Sequence, residues 1–379
     1  MNSLTPVQIA RGYCALATVV VLGSLAAGAS AAETSASASL SEARTSTAAA
    51  TRQAKAWEGP TTGPRAQPGK TISFIADDLR NGGVLGVAQG VREAAREIGW
   101  TVKVFDSNGT TAGMREALAE AFAARHDGLI ISGADARDYR DSLAPFAARG
   151  TPVVGWHVAP KSGPVLGTPV TVNVTTDPAE VARVTALAAI AESGGKAGVV
   201  IFTDSKYGIA MAKSSMMANF IRACPGCQLL EVRDVPLSES ATYMPGVTRE
   251  LLAKYGSRWT HALAINDIYF DYAVPVLVVS GLPIARLSLV SAGDGSASAF
   301  LRIRANTYQT GTVAEPLNLH GWQVIDELNR LFAGQPTSQF VAPVHLVTNG
   351  NIGSDVGPDG VYDPANGYRD AYRRIWRGK

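Results

Sequence analysis

Polar side chains gather at the ends of short apolar runs across residues 70–315. Asp77, Asp78 and Arg80 stand at and just past the end of Lys70-Thr71-Ile72-Ser73-Phe74-Ile75-Ala76-Asp77, and Trp156 and His157 close the run that begins at Thr151. Asp204 to Tyr207 come after the run Ala197 to Phe202, Asn266 and Asp267 stand in Ala264-Ile265-Asn266-Asp267, and Asp294 stands in Val290-Ser291-Ala292-Gly293-Asp294-Gly295. The chemistry on offer is recognition by hydrogen bonds and contact. An amide beside a carboxylate, Asn266-Asp267, suits a bidentate grip on vicinal polar groups. Trp156 presents a flat apolar face and His157 a donor or acceptor near neutral pH. Small neighbours around Asp294 let a ligand come close to the backbone. Each has a plainer role beside this one: Trp156 packed beneath its loop, His157 bonded to a local carbonyl, Asp267 capping the next helix.

Those positions are meaningful only if the apolar runs are strands of one kind. Lys70 to Asp77, Thr101 to Asp106 and Asp127 to Gly133 are short, β-rich runs separated by helical patterns, the signature of parallel sheets buried on both faces. In such sheets ligands sit beyond the carboxyl ends of the strands, so Asp77, Asp106 and Ser132 are expected at a mouth. The alternation resumes after Asp177-Pro178, which reads as an N-cap followed by proline at the first helical position. Two consecutive series of similar rhythm predict two α/β lobes with mainly parallel sheets.

The order of these elements, Asn266-Asp267 after one strand, Gly293-Asp294-Gly295 after the next, and a late helix over 316–334 together resemble the ribose-type (type I) periplasmic binding proteins of bacterial sugar uptake systems. The resemblance spans about residues 70 to 350. It implies two three-layer lobes joined by three crossings, near Thr175, at Glu315-Pro316 and near His345. The first lobe is then 70–174 plus 316–344, and the second 175–315 plus 345–379. The ligand is expected between the lobes, with hinge motion closing them on it. Relatives place aromatic rings after the first strand, where this chain has Gly82-Gly83, and an Asp-Arg pair where it has Trp156-His157. Glu315 aligns with an amide-bearing cleft position, its plainer role being helix capping beside Pro316. Lys206 and Tyr207 are within reach of the cleft. Asp77, Asp78, Asp267, Asp294 and Glu315 outnumber Arg80 and Lys206, and that favours neutral polyhydroxyl or cationic ligands over phosphates and carboxylates.

The first 32 residues read as an export signal, with Arg11, an apolar core from Ala15 to Ala27 too short to span a bilayer, and Ala29-Ser30-Ala31-Ala32 at the cleavage point. Residues 33–69 are rich in Ala, Ser, Thr, Gly and Pro and are expected to form a disordered leader. A periplasmic or secreted location follows. Of the three cysteines, Cys14 falls in the signal; Cys224 and Cys227 form an even pair, read as a disulfide across a turn. Formal charge is close to neutral, with 34 Lys plus Arg against 32 Asp plus Glu, and nothing in it recruits nucleic acid. Asp355, Asp359 and Asp363 faintly resemble a calcium loop but lack its remaining ligands, so no metal and no cofactor is expected.

The expected function is capture of a small polar solute, a sugar or similar, by a monomeric receptor that hands it to an ABC transporter permease. A sensor presenting its liganded form to a chemoreceptor or kinase is the alternative. An α/β enzyme is a third reading, but no Gly-x-Ser-x-Gly elbow, His-Glu-x-x-His or Walker loop is present.

Overall fold

A computed structural model describes residues 40–53 and 56–378. The expected export signal lies outside them. The first element is a helix over residues 40–50, α1. The first lobe then runs β1 (Thr71–Ala76), α2 (Gly82–Glu97), β2 (Thr101–Asp106), α3 (Thr111–Ala123), β3 (Gly128–Ser132), α4 (Arg140–Ala148), β4 (Val153–Trp156) and β5 (Val170–Val174). The second runs α5 (Pro178–Glu192), β6 (Gly198–Thr203), α6 (Gly208–Ala223), β7 (Gln228–Asp234), α7 (Ser240–Tyr255), β8 (His261–Ala264), α8 (Ile268–Val279), β9 (Ser288–Ser291), α9 (Ala297–Arg304) and β10 (Gln309–Ala314). After it come α10 (Leu317–Phe332), β11 (His345–Thr348), α11 (Ile352–Asp355) and α12 (Tyr368–Arg377).

The strands form two sheets, ordered β2-β1-β3-β4-β5 and β11-β10-β9-β8-β6-β7. All pairings are parallel except β10 with β11, where Gly311 faces Thr348. Every residue of β3 and β6 is buried, because helices cover both faces and leave no side of the strand for water. Strand order reverses at β1/β3 in one sheet and at β6/β8 in the other. These switch points open crevices at the carboxyl ends, and the loops carrying Asp77 and Asn266 emerge there. The cap read from sequence is in place, the Asp177 carboxylate accepting from Ala179 N; Asn81 caps α2 in the same way, accepting from Gly83 N. Cys224 and Cys227 form a disulfide across the α6–β7 turn, Cα atoms 5.3 Å apart.

Helix α10 leaves the second lobe and packs on α2 of the first. A Cβ on Gly321 would lie 2.3 Å from the Gly90 carbonyl carbon, so the two helices cross backbone to backbone. Two sequence expectations fail nearby. The stretch expected to be a disordered leader over 33–69 is ordered where described. Leu40, Ala43 and Ala50 of α1 pack into the core of the second lobe, and Arg183 of α5 donates to Ser46 Oγ at 3.1 Å. Beyond it Trp57 packs with Phe340 and Tyr372 in the first lobe, and Asn329 holds the Pro64 carbonyl and the Gln67 N–H. A segment too poor in large apolar groups to fold alone is ordered here by docking on surfaces already built.

The second failure is the assignment of the end of the chain to the second lobe. β11 and α11 belong there, but α12 returns to the first lobe. Its face of Tyr368, Tyr372, Ile375 and Trp376 packs on Trp322 of α10, while Arg369 and Arg373 pair with Glu93 and Glu97 of α2 at 2.6 and 2.8 Å. Arg369 and Arg373 thus lie on the outer face of an amphipathic helix. The described chain therefore passes between lobes five times: after α1, after β5, after β10, after α10 and after α11.

Candidate ligand-binding cleft

One cavity lies between the switch points of the two sheets. The first lobe contributes Asp77, Asp78, Asn81, Val84, Gly133, Trp156 and His157; the second contributes Tyr207, Ile209, Lys213, Leu237, Asn266 and Asp294 among others. The space is small, about 60 Å³ for the centre of a water-sized sphere, because the lobes touch across it. Tyr207 donates its hydroxyl to Asp77 Oδ2 at 2.7 Å, and Lys206 Nζ donates to the Gly109 carbonyl at 2.8 Å. Asn266 Nδ2 donates to Asn81 Oδ1 at 3.3 Å and to Asp294 Oδ2 at 2.9 Å.

Burial raises the Asp77 carboxyl above the ordinary carboxylate value, opposed by Lys206 and the Tyr207 hydroxyl. Its Oδ1 is buried without a hydrogen-bond partner, Lys206 Nζ standing 3.6 Å away. Tyr207 is pushed up in turn, by burial first and by Asp77 next. Asp294 is also raised by burial, against the pull of His157 and Lys213.

A second network stands where β10 hands over to α10. His157 Nε2 donates to Glu315 Oε2 at 3.0 Å, and Lys213 Nζ lies 3.7 Å from Glu315 Oε1 while donating to the Ala292 carbonyl. Burial works to raise Glu315, but His157 and Lys213 outweigh it and hold this carboxyl well below its usual range. The indole N–H of Trp156 donates to His320 Nδ1 at 3.1 Å, so that nitrogen carries no proton and the ring is neutral. Burial agrees, lowering His320 to about 4. Among the described residues, His157, Asp294 and Glu315 are the three ligand-type side chains with donor atoms within 4.8 Å of one another. The Lys213 ammonium stands 3.7 Å from Glu315 and draws Asp294 down, so it offsets charge on both carboxylates.

Two lobes, an interlobe cavity at both switch points, and polar groups from each converging on it are the parts of a hinged receptor, and the profile of the periplasmic binding protein domain matches residues 72–336. The chain belongs to that family. No curated protein matches it by sequence. A sugar ABC transporter protein from Yersinia enterocolitica superposes with a TM-score of 0.70 at 18% identity, over 84% of this chain and 99% of that one. Two solute-binding proteins from Agrobacterium vitis are also similar. The one solved with α-D-tagatopyranose has a TM-score of 0.69 at 14% identity, covering 77% of this chain and 99% of its own. The one solved with allitol has 0.65 at 17%, covering 75% and 97%. At these identities the likeness is one of fold.

In this periplasmic binding protein the cavity wall includes Asp77, Asp78, Trp156, His157, Tyr207, Asn266 and Asp294 of the positions named from sequence. Glu315 stands behind His157. Arg80 does not line the cavity: it is claimed by Asp78, two residues back, at 2.7 Å. Asp267 is fully buried behind the wall, accepting from Gly295 N, Ser296 N and Gln309 Nε2, and burial raises it to about 6. The Trp156 ring is covered by His157, with centroids 3.9 Å apart and planes 7° from parallel. The imidazole, held at φ +55°, is thus the surface on that side. Sequence reading missed Asn81, Lys213 and the aliphatic wall of Val84, Ile209, Leu237, Ile265 and Ile268. Lys213 had a signal, a cation in the middle of α6 among small and apolar residues, away from Arg222 in the last turn. Asp355, Asp359 and Asp363 turn to different partners, Asp355 to His345 and Asp363 to Tyr368, so they form no cation cage.

Proposed function

We propose that the protein is the solute-binding component of an ABC uptake system, a periplasmic receptor that captures a small polar solute such as a sugar or polyol. It then presents the closed form to a membrane permease. The observation that carries this reading is the seam of polar contacts from opposite lobes, Tyr207 to Asp77 and Asn266 to Asn81, around an acceptor-rich cavity. A solute with several hydroxyls satisfies the buried Asp77 Oδ1 and the Asp294 carboxylate at once, which water in an open cleft does only one lobe at a time. Carboxylates and phosphates meet Asp77, Asp78 and Asp294 and are rejected by charge. The imidazole backed by Trp156 offers the apolar surface of a ring somewhere to rest.

The receptor binds and releases its solute unchanged. A thermal-shift screen of the mature protein against sugars, polyols, nucleosides and amines tests the reading, since a ligand of the native state raises the melting temperature. The expected result is a polyhydroxyl compound that raises it and contracts the scattering profile. Chemical turnover of that compound, or a scattering profile unchanged at saturation, would refute the reading.

A further inference from the structure

The cleft closes along a line of residues that have no side chain. On the first lobe, Gly82 and Gly83 open α2, and Gly109 follows β2. Facing them on the second are Ser296, Asp294 and Ser238. A Cβ on Gly83 would stand 2.0 Å from Asp294 Oδ2, 2.6 Å from its Cγ and 2.8 Å from its Cβ. A Cβ on Gly82 would stand 2.8 Å from Ser296 Cβ, and one on Gly109 2.8 Å from Ser238 Cβ. On the reverse side, a Cβ on Gly208 of the second lobe would be 2.9 Å from Asp135 Oδ2 of the first. Real Cβ atoms do not approach so closely, so at each place the lobes meet backbone to side chain with nothing to spare.

We propose that Gly83, with Gly82 beside it, is a closure determinant: its missing side chain lets the Asp294 loop seat against the start of α2, and that contact sets how far the lobes shut. The inference rests on the hinge-closing reading above and adds the residues that decide its end point. Helical propensity runs the other way. Both glycines lie inside α2, where alanine is the better residue. Within the first lobe alone, Gly83→Ala is therefore neutral or stabilising, and the cost appears only when Asp294 arrives. Asp294 must then turn away, giving up its bond from Asn266, and the closed state is overpacked.

The test is a disulfide trap, Gly208→Cys with Asp135→Cys, on the reverse side of the seam, where the second change removes the carboxylate that the first would meet. The Gly208 Cβ position lies 2.9 Å from Asp135 Oδ2, an atom two bonds beyond the Asp135 Cβ, so the two Cβ atoms stand about a disulfide's separation apart only when the lobes are shut. Its oxidation rate samples the closed state even where that state is rare, and no ligand is needed, so a failed solute screen and a failed closure seam are distinguishable. Adding Gly83→Ala should slow trapping about tenfold or more with the melting temperature retained. Gly82→Ala should slow it as well, and serves if the first variant folds poorly. Gly246→Ala, a helical glycine of α7 with open space around it, should leave the rate unchanged. In an Asp294→Gly background the obstructing side chain is gone, and Gly83→Ala should trap at its parent's rate. Equal rates for the parent, Gly82→Ala and Gly83→Ala would overturn the proposal, as would a parent trap that never closes.

Discussion

Tyr207→Phe isolates a single bond between the lobes. The change is isosteric and removes only the hydroxyl that donates to Asp77 Oδ2 at 2.7 Å. Asp77 is 4% exposed and its other oxygen already lacks a hydrogen bond, so in the variant the buried carboxylate keeps only Lys206, 3.6 Å away. A hydrogen bond to a charged group contributes about 1.5–3 kcal/mol, and leaving the acceptor unpaired costs a similar amount. The whole loss falls on the closed state, because in an open cleft water replaces the phenol. Solute affinity should therefore fall by about 10-fold to 150-fold, with the unliganded melting temperature little changed. The pH dependence has a definite sign. Burial raises the Asp77 carboxyl in the closed form relative to a solvated one, so closure takes up a proton and the penalty shrinks as acid is added. The ratio of variant to parent Kd should be largest near neutral pH and decline toward the raised pKa. Calorimetry across that range checks it. A ratio within about twofold at neutral pH, or one that grows on acidification, would show that Tyr207 and Asp77 do not form a working latch.

Lys213→Met leaves Glu315, 1% exposed, with His157 as its remaining partner, and should destabilise the fold by about 3–5 kcal/mol in urea; a loss under about 1 kcal/mol would mean that Lys213 does not neutralise Glu315. Trp57→Ala should cost about 2–3 kcal/mol and expose the preceding residues to protease, since the indole packs on Phe340 and Tyr372. An unchanged urea midpoint would show that the segment before β1 adds nothing to stability. Burial lowers both His261 and His320 to about 4 from 6.5. A depressed folded pKa means stability that is complete above the unfolded value and is lost as pH falls from 6.5 toward 4, by up to about 3 kcal/mol for each ring. His261→Gln should flatten that acid limb, and an identical limb in the variant would remove His261 from the account.

The lobes were legible because parallel strands covered on both faces must be unbroken apolar runs, and β1, β3 and β6 are such runs. Their ends were legible for the same reason, since polar residues are tolerated only where the strand leaves its cover. What failed to show was direction. Asp267 and Asp294 each follow a strand, yet Asp294 faces the cavity while Asp267 turns back to hold Gly295 N and Ser296 N. The choice depends on where a loop 28 residues further on puts its amides, out of reach of any local pattern. Trp156 reads as an exposed platform only if its neighbour is ignored; His157 in the left-handed region folds over the indole and takes its place. Gly82-Gly83 looked like the loss of an aromatic clamp. In the closed structure the pair is what admits the Asp294 loop.

The two segments misread from sequence share a cause with one another and a consequence for the hinge. Neither α1 nor α12 could fold alone; α1 is ordered by docking on the second lobe and α12 by docking on the first, and the chain beside each crosses between lobes. Their anchors leave almost no slack. Tyr362 packs on His345 of the second lobe while Asp363, its neighbour in the chain, bonds Asn318 and Arg369 of the first. Gln53 bonds Asp355 of the second lobe and Trp57 packs in the first, with three residues between them. A chain that short reaches about 14 Å at full extension. The Asp363 crossing abuts the one at Glu315-Pro316 through Asn318, and the Trp57 crossing abuts the one after α10 through Phe340. With these crossings bound to one another, the lobes cannot separate by translation. Opening has to be a rotation about this bundle, which swings the carboxyl ends of the strands, and the seam of glycines between them, through the largest arc.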